Sequence, residues 1–333
     1  MSQNILIAIG GNSLIRSGEK GTIAEELENA RRTAAAIVNL IRSGYRIVLA
    51  HGNGPQVGAQ LLRSDRARDL VPGQTLDVCG AASQGEIGYL LTQSLNNELM
   101  AAGLNVPVAS IITQTIVSPD DPALAEPTKP IGPFYSREQA LEREQRFGWK
   151  TVEDASRGYR RVVPSPEPIE IVELGVIRRL MEQGVLVVAC GGGGIPVVRR
   201  DGYLEGIEAV IDKDRASALL ASKLRVEVFA ISTGPRFVYL DYKKPTMRPL
   251  TRVTASEAER YLETGQFPAG SMGPKVEAAL RFLRGGGREV IITSYQYLSG
   301  ALAGTDGTHI VSDGESSAMG RAVISQNDPV HAK

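Results

Sequence analysis

Three lysines in this sequence sit in company that surface lysines rarely keep. Lys129 lies between prolines in PTKPIGP, Lys213 lies between Asp212 and Asp214 in AVIDKDRAS, and Lys275 follows GSMGP. Lys275 falls near the start of a helix, where the macrodipole works against a cation, so it needs a local anion. Ammonium groups fixed by prolines and carboxylates suit the handling of a negatively charged group. The glycines point the same way. Three β-rich runs empty into bare backbone: IAIGGNSLI (7–15), YRIVLAHGNGPQ (45–56) and VLVVACGGGGIP (185–196). Glycine there permits positive φ and lets peptide N–H groups approach a ligand, and a following helix adds partial positive charge. Gly10, Gly11 and Asn12, with Gly52, Asn53 and Gly54, would make two facing cradles for a small anion. Each turn taken alone also reads as an ordinary strand-to-helix connection; three together point to one shared site.

The elements that must position these groups follow from periodicity. Strand-like runs are expected at about 4–9, 45–50, 107–112, 185–190, 226–231 and 288–293, with helical patterns between most of them. Leu27, Ala30, Ala34, Ile37, Val38 and Ile41 keep a helical period that Gly44 can stop, and Ile87, Leu91, Leu95 and Leu99 recur on one helical face. Thr254 and Glu257 form a capping box before another helix. Strands alternating with helices predict an α/β fold with a mostly parallel sheet covered on both faces, its ligands bound beyond the carboxyl ends of the strands. Residues 118–166 break the rhythm. They are dense in proline yet retain apolar and aromatic residues, and are read as a small ordered subdomain inserted in a single domain of residues 1–312. A polar tail, 313–333, follows.

Composition excludes several classes. The 333 residues carry 37 basic and 37 acidic side chains, so no global field favours nucleic acid or an anionic membrane. MSQN leads straight into a short strand without the layout of a signal peptide, and no apolar run approaches the ~20 residues of a membrane span. A cytoplasmic protein is the expectation. Cys79 and Cys190 have no metal-ligand spacing and read as buried small hydrophobes; His51 stands out only for its place beside GNG. Neither G-x-G-x-x-G nor G-x-x-x-x-G-K-[ST] occurs, so a standard dinucleotide fold and a P-loop NTPase lack their signatures.

From about residue 4 to 311 the chain resembles the carbamate kinases, a branch of the amino acid kinase family. The stretches that carry the likeness are GGN, HGNGPQVG, SQGEIGYLL, PTKPIGPF, EDASRGYRRVVPSP, CGGGGIPV, GIEAVIDKD, GSMGPKVEAA and GTDGTHI. The resemblance implies a three-layer αβα sandwich, a homodimer, and reversible phosphoryl transfer between ATP and carbamate, giving ADP and carbamoyl phosphate, with Mg²⁺. Such enzymes often run toward ATP in nitrogen catabolism, including arginine metabolism. It further implies that Gly10, Gly11, Asn12, Gly52, Asn53 and Gly54 hold substrate and the transferred group, and that Lys129 reaches in from the insert as a lid lysine. Lys213 and Lys275 would contact nucleotide phosphates, held by Asp214, and Thr233, Gly234 and Met272 would complete the nucleotide site. Related kinases of bulkier acids carry a lysine in the first strand; LIAIGG has none, which makes Lys129 its replacement.

The chain departs from the family pattern in STGPRF, where Pro235 and Arg236 stand in place of a common valine and aspartate. Arg215 replaces an apolar residue and Ser156 a glycine. The change at 235–236 is either rim variation or a reshaped nucleotide pocket. Two other readings therefore accompany the kinase: the same chemistry on a different small carboxylate or carbamate-like acid, and a nucleotide-binding homologue without catalysis.

Overall fold

The structure is a computed structural model that describes residues 3–10, 14–16, 18–153, 158–268 and 270–315. Gly11, Asn12, Ser156 and most of the expected tail, 316–333 with His331, lie outside the described residues.

An eight-stranded sheet forms the middle layer. Its spatial order is Arg252–Thr254, Thr308–Val311, Glu289–Thr293, Val228–Ser232, Asn4–Ile9, Arg46–His51, Leu186–Val188, Val108–Ser110. Neighbours are parallel except Glu289–Thr293 against Thr308–Val311. The six expected strands are all present, some shorter than the apolar run; Arg252–Thr254 and Thr308–Val311 extend the sheet beyond them.

Strand alternation sorts the core into two layers. Ile5, Ile7 and Ile9 face one cluster with Ile47, Leu49 and Val188, while Leu6 and Ala8 face the other with Val48, Ala50 and Phe229. The first face is covered by the helices Ile23–Arg42 and Leu76–Ala101, through residues such as Ala30, Ile37, Ile87, Leu91 and Leu95. The second is covered by Leu174–Glu182, Lys213–Leu224, Ala255–Glu263 and Gly273–Arg284. This is an αβα sandwich, as the alternation of periods predicts. The capping box expected at Thr254 and Glu257 is formed, and a second, Thr22 with Glu25, starts the helix Ile23–Arg42.

The proline-rich stretch leaves the body from Gln114–Ile116 and returns at Glu170–Ile171, which pair antiparallel and bring its ends together. Between them lies a three-stranded antiparallel sheet in the order Lys129–Tyr135, Tyr159–Val163, Lys150–Glu153. The helix Arg137–Phe147 packs on it, opened by a Ser136–Gln139 capping box and closed by Gly148 at φ 67°. Tyr135, Ala140 and Trp149 make a small core of their own. Ile131 and Val163 instead pack down onto Val57, Leu61, Leu76 and Cys79 of the main body.

At one point the two parts meet backbone on backbone. A Cβ placed on Gly58, in the helix Gly54–Arg66, would fall 1.9 Å from the Cα of Gly132, itself at φ +73°. Alanine in an exposed helix interior is normally worth ~1 kcal/mol over glycine. At Gly58 the sign should reverse: Gly58→Ala should lower stability by about 1–3 kcal/mol, the usual cost of overpacking. Chemical denaturation would check this; an unchanged or raised midpoint would refute the contact.

Candidate active site

The first strand lies between neighbours reached in opposite directions along the sheet, and a cleft opens at the carboxyl ends of these strands. It encloses ≈ 730 Å³. Gly10, Gly52, Asn53, Gly54, Gly192, Thr233, Gly234, Ser294 and Tyr295, each just beyond a strand of the sheet, all line it. So do Lys129, Lys213, Asp214, Met272 and Lys275. Every described residue that the sequence singles out as a site residue therefore borders one cavity.

The charged end is built on the first turn of the helix Lys213–Leu224. Asp212 is its N-cap: Oδ1 accepts from the amides of Asp214 at 2.9 Å and Arg215 at 3.2 Å. Its other oxygen, Oδ2, accepts from Lys129 Nζ at 2.5 Å. Asp214 is buried and divides its carboxylate the same way, with Oδ1 taking Lys213 Nζ at 2.6 Å and Oδ2 taking Lys275 Nζ at 2.8 Å. The anion that Lys275 requires at its helix start is thus Asp214.

Burial would push the Asp214 carboxyl upward, but Lys213 and Lys275 outweigh it and hold it well below the usual carboxylate range. Burial likewise opposes ionisation of Asp212, and Lys129 outweighs it. Lys213 is drawn below the ordinary lysine value chiefly by burial, against the pull of Asp214. Three ammonium groups against two carboxylates leave the cluster with surplus positive charge, and two helix N-termini add to it.

The glycine turns divide their work. The Gly52 amide donates to the Ile9 carbonyl at 3.0 Å, so it serves the sheet. Asn53 makes no capping bond to the helix it precedes and donates instead to Ser83 Oγ at 2.7 Å, so the first helical amides are left uncapped by it. A Cβ on Gly10 would meet the Ser232 carbonyl at 3.3 Å. In the third turn Gly192 reaches the cavity, whereas Gly191, Gly193 and Gly194 are packed against His51, Ile211 and Thr115. The run thus touches the shared site through Gly192 and is otherwise close packing.

His51 is structural too. It is buried, burial lowers its pKa to about 4, and Nδ1 lies 3.0 Å from the Gly52 carbonyl oxygen. Cys79 and Cys190 are buried free thiols pushed up to about 11 and about 12, chiefly by burial. Phe237, Tyr239, Tyr242, Phe267 and Met272 add apolar surface to the lining. Pro235 joins it, but Arg236 pairs with Asp306 through Nε at 2.6 Å and lies 4.7 Å over the Tyr297 ring, outside the cavity lining. Its charge is neutralised by the aspartate of GTDGTHI. Arg215 is engaged by Glu167 and Glu277 and does not border the cleft.

Sequence reasoning missed several lining groups. Asp212 was visible as the N-cap in IDKD. Ser232 and Ser294 end parallel strands, and each holds a buried Oγ without a hydrogen-bond partner. Arg16 and Tyr295 hydrogen-bond across the cleft mouth at 2.5 Å, and no local pattern announces that pair.

The arrangement matches known proteins. The family model described as the amino acid kinase family covers residues 3–294. The carbamate kinase of Thermococcus kodakarensis is 48% identical over 312 residues, 93% of this chain and 99% of the relative. The carbamate kinase-like protein YahI of Escherichia coli is 46% identical over 93% of this chain and 99% of its own length. Among solved structures, carbamate kinase from Giardia lamblia bound to AMP-PNP superposes with a TM-score of 0.87 at 42% identity, covering 94% of this chain and 99% of that one. N-acetylglutamate synthase from Neisseria gonorrhoeae, at 18% identity and TM-score 0.54, shares the fold alone. On these grounds the chain belongs to the amino acid kinase family, within its carbamate kinase branch.

Proposed function

We propose that the cleft transfers a phosphoryl group between ATP and carbamate, forming ADP and carbamoyl phosphate in one direction and ATP in the other. The observation that carries this reading is the convergence of Lys129, Lys213 and Lys275 on two buried aspartates in a single cavity. Phosphoryl transfer passes through a loose transition state whose negative charge spreads over the equatorial oxygens, so the protein's work is alignment and fixed positive charge. Carbamate is itself anionic, and bringing it to a polyphosphate adds like-charge repulsion. Ammonium groups already anchored by Asp212 and Asp214 meet that charge without reorganising.

The roles divide along the cleft. Gly10, Asn53 and Gly54, with Gly52 shaping the turn, surround the small acceptor; Gly11 and Asn12, given the same role by the resemblance, lie outside the described residues. Lys213 and Lys275 take the nucleotide phosphates, while Thr233, Gly234 and Met272 border the apolar surface suited to adenine. Lys129 stands over the acceptor from residues 118–166, which act as a lid keeping water from the labile mixed anhydride. Mg²⁺ would arrive with the phosphates: among the described residues no three Asp, Glu, His or Cys side chains come together to hold a metal, and Mg²⁺ commonly relies on substrate phosphates. When bound, it would neutralise charge on the phosphate oxygens. Among the described residues no helix is long and apolar enough to cross a membrane. We place the protein in the cytoplasm as a homodimer serving ATP formation in nitrogen catabolism.

Lys129→Ala should reduce ATP formation from ADP and carbamoyl phosphate by about 100- to 1,000-fold, the loss typical of one preorganised donor, with ADP affinity little changed. A variant retaining near-normal turnover would remove Lys129 from the mechanism. Asp214→Asn should destabilise the fold by about 3–5 kcal/mol at neutral pH, because it strands buried cations. The folded-state carboxyls of Asp212 and Asp214 are depressed, so their contribution is present above the unfolded value of about 3.9 and fades as pH falls below it. Thermal denaturation as a function of pH should show the gap between wild type and Asp214→Asn narrowing in acid; a constant gap would contradict the pairing.

A further inference from the structure

A second cavity of ≈ 270 Å³ lies outside the cleft, at the seam between the helix Gly54–Arg66 and the small antiparallel sheet. From the helix side comes Asp65, whose side chain is only 6% exposed. Its Oδ1 accepts from Arg68 at 3.0 Å, whereas Oδ2 is buried with no hydrogen-bond partner. From the sheet side comes Arg161, its guanidinium 4.8 Å over the Trp149 ring. Among the described residues no hydrogen bond or ion pair reaches that guanidinium. Burial works against the charge of Arg161, and Asp65 and Glu208 are the anions that favour it from a distance. Arg146 completes the charged lining.

A buried carboxylate oxygen without a partner is costly, and the half-buried guanidinium resting on Trp149 still has N–H donors to offer an acceptor. One molecule carrying both complementary charges would satisfy both. The space is more than one or two bridging waters require at about 30 Å³ each, and it approaches the lower end of small-ligand pockets. We propose that this seam binds a small zwitterion of the α-amino-acid class, its ammonium on Asp65 Oδ2 and its carboxylate on Arg161, and thereby sets the placement of the lid. Arg161 pairs across the sheet with Ile131, two residues from Lys129. A ligand bridging Arg161 to the helix therefore pins the strand that carries the lid lysine. This coupling rests on the role of Lys129 proposed above; the binding does not.

The test is calorimetric titration of the full chain with the proteinogenic amino acids one at a time, using ethylamine and acetate as single-charge controls. At least one zwitterion should bind at millimolar concentration or better. Its affinity should fall about tenfold or more in Asp65→Asn and in Arg161→Met, as expected for loss of a charge-assisted contact. Failure of every amino acid to bind, acetate binding as tightly as any zwitterion, or affinity unchanged in both variants would overturn the site. On wild-type protein, hydrogen exchange of residues 129–135 and 159–163 should slow when the amino acid binds; unchanged exchange would overturn the coupling. Binding by calorimetry without ATP formation would refute the kinase reading and leave this site standing.

Discussion

Holding several like charges close together in a partly dry cleft is the constraint on which this structure depends. Ammonium groups so confined repel one another and lose hydration, and each needs a fixed counter-charge. The chain meets that need from one helical turn. Asp212 and Asp214 each split their two oxygens, so that capping the helix, anchoring Lys129 of the inserted sheet and gathering the two body lysines are parts of a single arrangement. The geometry of the cation cluster and local folding are therefore not separable at this turn. The first turn of Lys213–Leu224 must be well formed for the cations to be placed, and the cations in turn keep both carboxylates ionised.

The sheet supplies the frame. Its alternating faces bury into two helical layers, which leaves only the strand ends free to present ligand groups. Glycine at those ends has two distinct uses here. Gly10 and Gly54 leave room in the cleft, whereas Gly191, Gly193 and Gly194 let a tight turn pack against His51, Ile211 and Thr115. The same residue type at equivalent topological positions thus serves access in one loop and packing in another.

The amount legible in the sequence follows from the range of the forces involved. The central strands, the capping box at Thr254 and the buried stripe of Ile87, Leu91 and Leu95 are local patterns, and they were readable. Lys129, Lys213 and Lys275 announced themselves through unusual neighbours. Partnerships were not readable in the same way: Lys275 and Asp214 are 61 residues apart, and Lys129 and Asp212 are 83 apart. Arg236 shows the limit clearly. Its sequence context left rim variation and a reshaped nucleotide pocket both open, and what bears on the choice is Asp306, 70 residues away, which draws the charge aside. The packing role of the third glycine run was likewise hidden, because it depends on residues from three other elements.

The contact between Gly58 and Gly132 has a mechanical meaning. Where two main chains meet with no side chain between them, no rotamer can cushion a change in depth. Such a crossing acts as a stop: at this point the small sheet cannot sink toward the body. The separation there is thus fixed by van der Waals contact between two main chains, and the depth at which the overhanging ammonium group of Lys129 stands inherits that fixed spacing.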